Sequence, residues 1–201
     1  MHTIYGDFMK SPFHYQMSER SSLPTTYCNL LLYLFKREEI PNILIQRIYQ
    51  YAFDLSFSKE IASGGSSRVA HLLLVHFLQD YAKNFSFPLS GEMIYGAKVD
   101  LKLFQTVLLH GVIVTKVCFE ERDHYVLVTR IDREFVYLFD PYYTVNEKEL
   151  DEVWYFNDRF FDYNRKIKVP YFFQTDSHFF TLGEISRREC ALFYRIHHFP
   201  V

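Results

Sequence analysis

Apolar residues follow a helical spacing in the first half of the chain and a strand spacing in the second. The stretch Ser22 to Arg37 is apolar on every helical face in its middle, which predicts a buried helix rather than one lying on the surface. Pro24, Thr25 and Thr26 are helix-start residues, and Lys36 and Arg37 suit a helix C-terminus. A second helical pattern covers 41–53. A third opens at Ser66 and Ser67, carries Val69, Leu72, Leu73, Val75, His76 and Phe77, and runs to Tyr81. A shorter one starts at Asp100, keeps Leu101, Phe104, Val107 and Leu108 on one side, and stops at Gly111. Beyond it, segments 112–119, 124–130 and 135–139 are rich in β-branched and aromatic residues and are parted by charged turns at 120–123 and 132–133. They predict a three-stranded meander. Asn146 with Glu149 predicts a short helix before Trp154, and further strands are expected at 166–173 and 189–196. Helices first and an antiparallel sheet afterwards is the α+β arrangement. The chain reads as a single domain over 1–201, helical over about 22–110 and sheet over about 111–201.

Composition sharpens this in one respect: with 21 Phe and 16 Tyr among 201 residues, the core must be built largely from flat rings. Charge excludes one class of partner. The net charge is −2 and the cations are scattered, so the basic stripe of a nucleic-acid binder is missing. The apolar runs at 30–35 and 72–75 are far shorter than the ~20 residues needed to cross a bilayer. The first residues have neither the basic start nor the apolar stretch of a signal peptide, so a soluble cytoplasmic protein is expected. Three cysteines, none closely paired, suit a reducing compartment and leave a thiol available for chemistry. No cofactor is expected. Cys118, His124, His178 and Cys190 lack any zinc-site spacing, and the Ser63 to Arg68 loop matches no phosphate-binding pattern.

Two places carry candidate chemistry. Cys28 falls in what reads as the first turn of the buried helix, where free N–H groups and the helix dipole favour an ionised thiol. A small buried core residue is the alternative reading. His124 and Asp140 lie on neighbouring strands of the meander. A hairpin loop of two residues pairs positions summing to 265 and sets His124 against Pro141, whereas a three-residue loop gives 264 and sets His124 directly against Asp140. Either register brings imidazole and carboxylate together, as an oriented general base requires. A surface His–Asp pair at the end of a sheet is the alternative.

A cysteine opening a buried helix, then Gly111-Val112-Ile113-Val114, His124-Tyr125-Val126-Leu127-Val128 and Val136-Tyr137-Leu138-Phe139-Asp140-Pro141, resembles the bacteriocin-processing, double-glycine leader peptidases and their papain-like relatives. The resemblance spans 26–141. It implies a papain-like fold with Cys28 as nucleophile, His124 as base and Asp140 as the residue that orients the histidine. Members of that family carry a glutamine about six residues before the cysteine as oxyanion donor and a small residue after it. Here Ser22 and Asn29 hold those positions, and Gln16, the nearest upstream glutamine, is the possible oxyanion residue. The expected function is therefore a cysteine peptidase or amide hydrolase acting on a peptide or a related amide or thioester. A thiol-dependent acyltransferase and a catalytically inactive binding module of the same fold are the alternatives.

Overall fold

The computed structural model describes residues 11–18, 21–53, 67–119, 122–143 and 150–196. Among the described residues five α-helices, α1 (Ser22–Leu34), α2 (Asn42–Phe53), α3 (Arg68–Phe85), α4 (Leu101–Val107) and α5 (Val169–Phe172), accompany seven strands. These are β1 (Leu89–Tyr95), β2 (Val112–Phe119), β3 (Arg122–Ile131), β4 (Phe135–Phe139), β5 (Val153–Tyr155), β6 (Arg165–Lys168) and β7 (Glu189–Arg195). They form one antiparallel sheet in the order β1-β7-β2-β3-β4-β6-β5. The chain is thus α+β. Among the described residues no helix is long and apolar enough to cross a membrane.

Strand alternation divides the core between the two faces of the sheet. Tyr125 and Leu127 of β3, with Val112, Val114, Phe139 and Phe193, pack under Leu23, Tyr27, Leu30 and Leu31 of α1 and under α2 and α3. Val126 and Val128 point the other way and join Ile113, Val136, Leu138, Phe104, Phe172 and Phe180. Both faces are covered, which is why the central strands read as nearly continuous apolar runs.

Helix ends follow local chemistry. The Ser67 hydroxyl accepts from the Ala70 N–H at the start of α3, and the Asp100 carboxylate accepts from the Leu103 N–H at the start of α4. Gly111 does end the α4 region, its N–H donating to the Val107 carbonyl, but the need for glycine is steric: a Cβ there would lie 2.5 Å from the Phe193 carbonyl oxygen.

Several expectations need correction. The helical half contains a strand, because β1 pairs along the whole length of β7 and forms one edge of the sheet. Helix α1 stops at Leu34, and Lys36 and Arg37 belong instead to a short 3-10 turn, at whose start the Lys36 N–H donates to the Glu39 carboxylate. The strand expected at 166–173 ends at Lys168, since Pro170 breaks the ladder and opens α5. The helix expected from Asn146 and Glu149 falls outside the described residues. Most consequential is the β3–β4 register. Leu127 faces Phe139 and Val128 faces Leu138, a sum of 266 rather than 264 or 265, and an irregularity between Val128 and Arg130 shifts the ladder nearer the turn.

Candidate active site

His124 and Asp140 meet, though not across a rung of the ladder. Pairing ends at Leu127 and Phe139, and Asp140 then turns its carboxylate so that Oδ1 lies 2.7 Å from His124 Nε2. Both residues are buried. The carboxylate is fixed from several sides. Asp140 Oδ1 accepts from the Tyr142 N–H at 2.8 Å, and Oδ2 lies 3.4 Å from the guanidinium of Arg165, itself buried. Asn164 clamps the backbone at the same residue: its Oδ1 accepts from the Asp140 N–H at 2.7 Å and its Nδ2 donates to the Asp140 carbonyl at 2.8 Å. Burial by itself pushes the Asp140 carboxyl up, but His124, Arg165 and the Tyr142 N–H outweigh it and hold the group below its ordinary value. A carboxylate so held fixes one imidazole nitrogen and leaves Nδ1 as the working end. No hydrogen bond among the described residues occupies that nitrogen.

Aromatic rings surround the imidazole. Phe119 lies with its centroid 4.8 Å away, Tyr142 stands edge-on at 6.5 Å, and Phe179 packs against Phe119 at 4.8 Å. Sequence reasoning does not anticipate Phe119 and Phe179 here, since Phe179 comes from a loop sixty residues beyond Phe119. A buried His–Asp pair in an apolar enclosure is strengthened electrostatically by the loss of water around it.

Pro141 shapes the rest of the site. In the observed register it would follow opposite Tyr125, but it has no N–H to give, so β4 ends and the flank of β3 opens. Thr26 of α1 enters that opening, its hydroxyl donating to the Tyr125 carbonyl at 2.9 Å. The Gln16 N–H donates to the Pro141 carbonyl at 2.8 Å, so the possible oxyanion residue does sit beside the His–Asp pair. Its side-chain Oε1 is buried without a hydrogen-bond partner.

Cys28 is placed differently from the expectation. Helix α1 begins at Ser22, so Cys28 is its seventh residue and belongs to the second turn. At about 100° per residue it stands roughly 200° around the helix from Thr26, the residue that meets β3. It therefore faces away from β3 and toward α2, where its proximity helps to raise the Tyr49 hydroxyl pKa. The thiol is enclosed in the core, and burial pushes it up to about 12, the opposite of an activated cysteine. The other two cysteines are free, Cys190 buried and Cys118 half-buried.

Ser22, which the sequence reading took only as the residue standing where the family's glutamine is expected, lies on the same side of the helix as Thr26. It is buried, it opens α1, and it stands about 40° from Thr26 on the side that meets β3. Gln16 precedes Ser22 by six positions, the interval that the resemblance sets between glutamine and nucleophile. Among the described residues no group of three or more His, Cys, Asp or Glu side chains could hold a metal ion.

No protein-family model matches the chain, and no curated protein matches it.

Proposed function

We propose that this chain is a papain-like acyl-transfer domain, a hydrolase of peptide or related amide bonds, in which His124 is the general base and Asp140 its orienting partner. The observation that carries the reading is the 2.7 Å contact between His124 Nε2 and a buried carboxylate that Asn164 and Arg165 lock in place. An imidazole held in this way accepts a proton from a nucleophile at Nδ1 and then returns it to the leaving amine. Asp140 stabilises the imidazolium between those two events. Water as the final acceptor gives hydrolysis; an amine or alcohol gives transfer.

The test uses p-nitrophenyl acetate and an internally quenched peptide library as acyl donors. Replacing His124 by alanine is expected to lower acyl release by about 10²–10⁴-fold, the usual contribution of a positioned base. Equal rates from the two proteins would remove the reading. A second reading, a binding module that keeps the fold without turnover, is favoured by the raised pKa of the buried Cys28 thiol. It would be supported by tight peptide binding that survives the His124→Ala change with no acyl release from either protein.

A further inference from the structure

Resting on that reading, we infer that the nucleophile is the hydroxyl of Ser22, the first residue of α1, with the side-chain amide of Gln16 beside it as a donor to the oxyanion.

Direction and rotation support the assignment. The C-terminal end of α1 is fixed by Arg195, whose guanidinium donates to the Leu34 carbonyl. Arg195 closes β7, past the point where Phe193 pairs with Val112, and Val112 lies at the end of the sheet where β3 finishes. Helix α1 therefore runs in the same direction as β3, and its first residue lies toward the end where β3 starts and where His124 is found. Along the helix, Thr26 marks the position of Tyr125, the neighbour of His124. Ser22 lies four residues ahead, about 6 Å further in the direction of His124 and nearly in line with Thr26. Cys28 is displaced on both counts: it is further from the tip and on the opposite side of the helix.

The surroundings suit the chemistry. The start of α1 has no side-chain cap, Pro24 in its first turn has no N–H, and among the described residues no acceptor engages the Ser22 and Leu23 N–H groups, which suit a negative oxygen. Among the described residues no hydrogen bond engages the Ser22 hydroxyl or His124 Nδ1, and both residues are buried. Ahead of α1 the Ser21 hydroxyl donates to the Ser18 carbonyl and accepts from the Ser18 N–H. Gln16 is held at Pro141, whose carbonyl accepts from its N–H.

In the reaction, the Ser22 O–H proton passes to His124 Nδ1 as the oxygen bonds the acyl carbon. The scissile C–N or C–O bond then breaks, and the imidazolium gives its proton to the departing amine or alkoxide, leaving an ester on Ser22. Water, giving one proton to the same imidazole, adds to the ester; the bond from the acyl carbon to Ser22 Oγ breaks, the imidazolium returns its proton to Oγ, and the acid leaves.

The experiment uses the full chain and a tagged fluorophosphonate, with the modified residue located by peptide mass spectrometry. Labelling is expected on Ser22, absent in Ser22→Ala and His124→Ala, and unchanged in Cys28→Ala. A label on another residue, or one that persists in Ser22→Ala, would overturn the assignment. A second variant separates this outcome from failure of the hydrolase reading. In Ser22→Cys the new thiol sits at the helix tip beside the imidazole, and it should react with iodoacetamide at pH 6 at least about tenfold faster than Cys118. That result requires no turnover, so it can hold even if no acyl donor is cleaved; a Ser22→Cys thiol as slow as Cys118 would place Ser22 away from His124 and end the proposal.

Discussion

Replacing Asn164 with alanine removes both arms of the clamp on Asp140 in a single change. The side-chain Oδ1 accepts the Asp140 N–H at 2.7 Å and Nδ2 donates to the Asp140 carbonyl at 2.8 Å, all within a region closed to solvent. The Asn164 N–H bond to the Leu138 carbonyl is made by the backbone and survives the substitution. A buried polar group left without a partner costs about 1–3 kcal/mol, so two together should lower stability by about 2–6 kcal/mol. With an unfolding slope of about 2 kcal/mol per molar urea, the midpoint should fall by about 1–3 M. Urea unfolding followed by far-ultraviolet circular dichroism reads this directly. Gln79→Ala serves as the control: its amide also donates to a backbone carbonyl, that of Gly91, but at the exposed edge of the sheet, and its loss should stay within about 0.5 kcal/mol. An Asn164→Ala shift no larger than the control would refute the claim that this clamp holds the carboxylate.

Further expectations concern charge, packing and the thiol. Because burial pushes the Cys28 thiol up to about 12, iodoacetamide at pH 8 should modify it more slowly than the half-buried Cys118 in the folded protein, which isotope-coded peptide mapping would show. Burial also holds the His71 imidazole below its ordinary 6.5, with Glu189 opposing, so the unfolded chain takes up a proton that the folded one refuses as pH falls through about 6.5. Stability should therefore decline from pH 7 to 5.5, and His71→Gln should flatten that slope whatever its effect on the absolute value. Glu39 has its pKa lowered to about 2 by the hydrogen bond from Arg195 and by the Lys36 N–H, so its contribution is complete above the unfolded value of 4.5 and is lost as pH falls toward 2. The pair is partly exposed, which limits that contribution to about 0.2–1 kcal/mol; an Arg195→Met variant should differ from the parent by that amount at pH 6 and by less at pH 3. Gly111→Ala would drive a Cβ against the Phe193 carbonyl and should destabilise the protein by about 1–3 kcal/mol in the same urea assay.

Much of the architecture was legible because burial and period are written in consecutive residues. The meander β2–β3–β4 and the caps Ser67 and Asp100 follow from local pattern alone. Strand β1 was missed because Leu89–Tyr95 contains Ser90, Gly91 and Glu92, and an edge strand exposed on one side lacks the apolar run of a central one. The β3–β4 register was missed because an irregularity near Arg130 is set by tertiary packing, not by turn length. The His–Asp pair survived that error because side-chain reach tolerates a shift of one or two positions at the end of a ladder. Cys28 was misplaced by a different route. Its neighbours Leu30, Leu31 and Leu32 mark a buried helix but not where that helix begins, and with Ser22 rather than Thr26 near the start, the tip moves one and a half turns away from the thiol. A wall built from Phe119, Tyr142 and Phe179 is a long-range assembly that no window along the chain reveals.

The decisive measurement is the pH dependence of acylation by p-nitrophenyl acetate in the parent protein and in Asp140→Asn, an isosteric change that keeps the packing and removes the charge. If His124 works as a base oriented by Asp140, the variant should acylate about 10²–10⁴-fold more slowly at neutral pH. Its residual rate should rise with pH as hydroxide replaces the lost base. Matching rates and matching profiles in the two proteins would show that the buried pair only holds the sheet together.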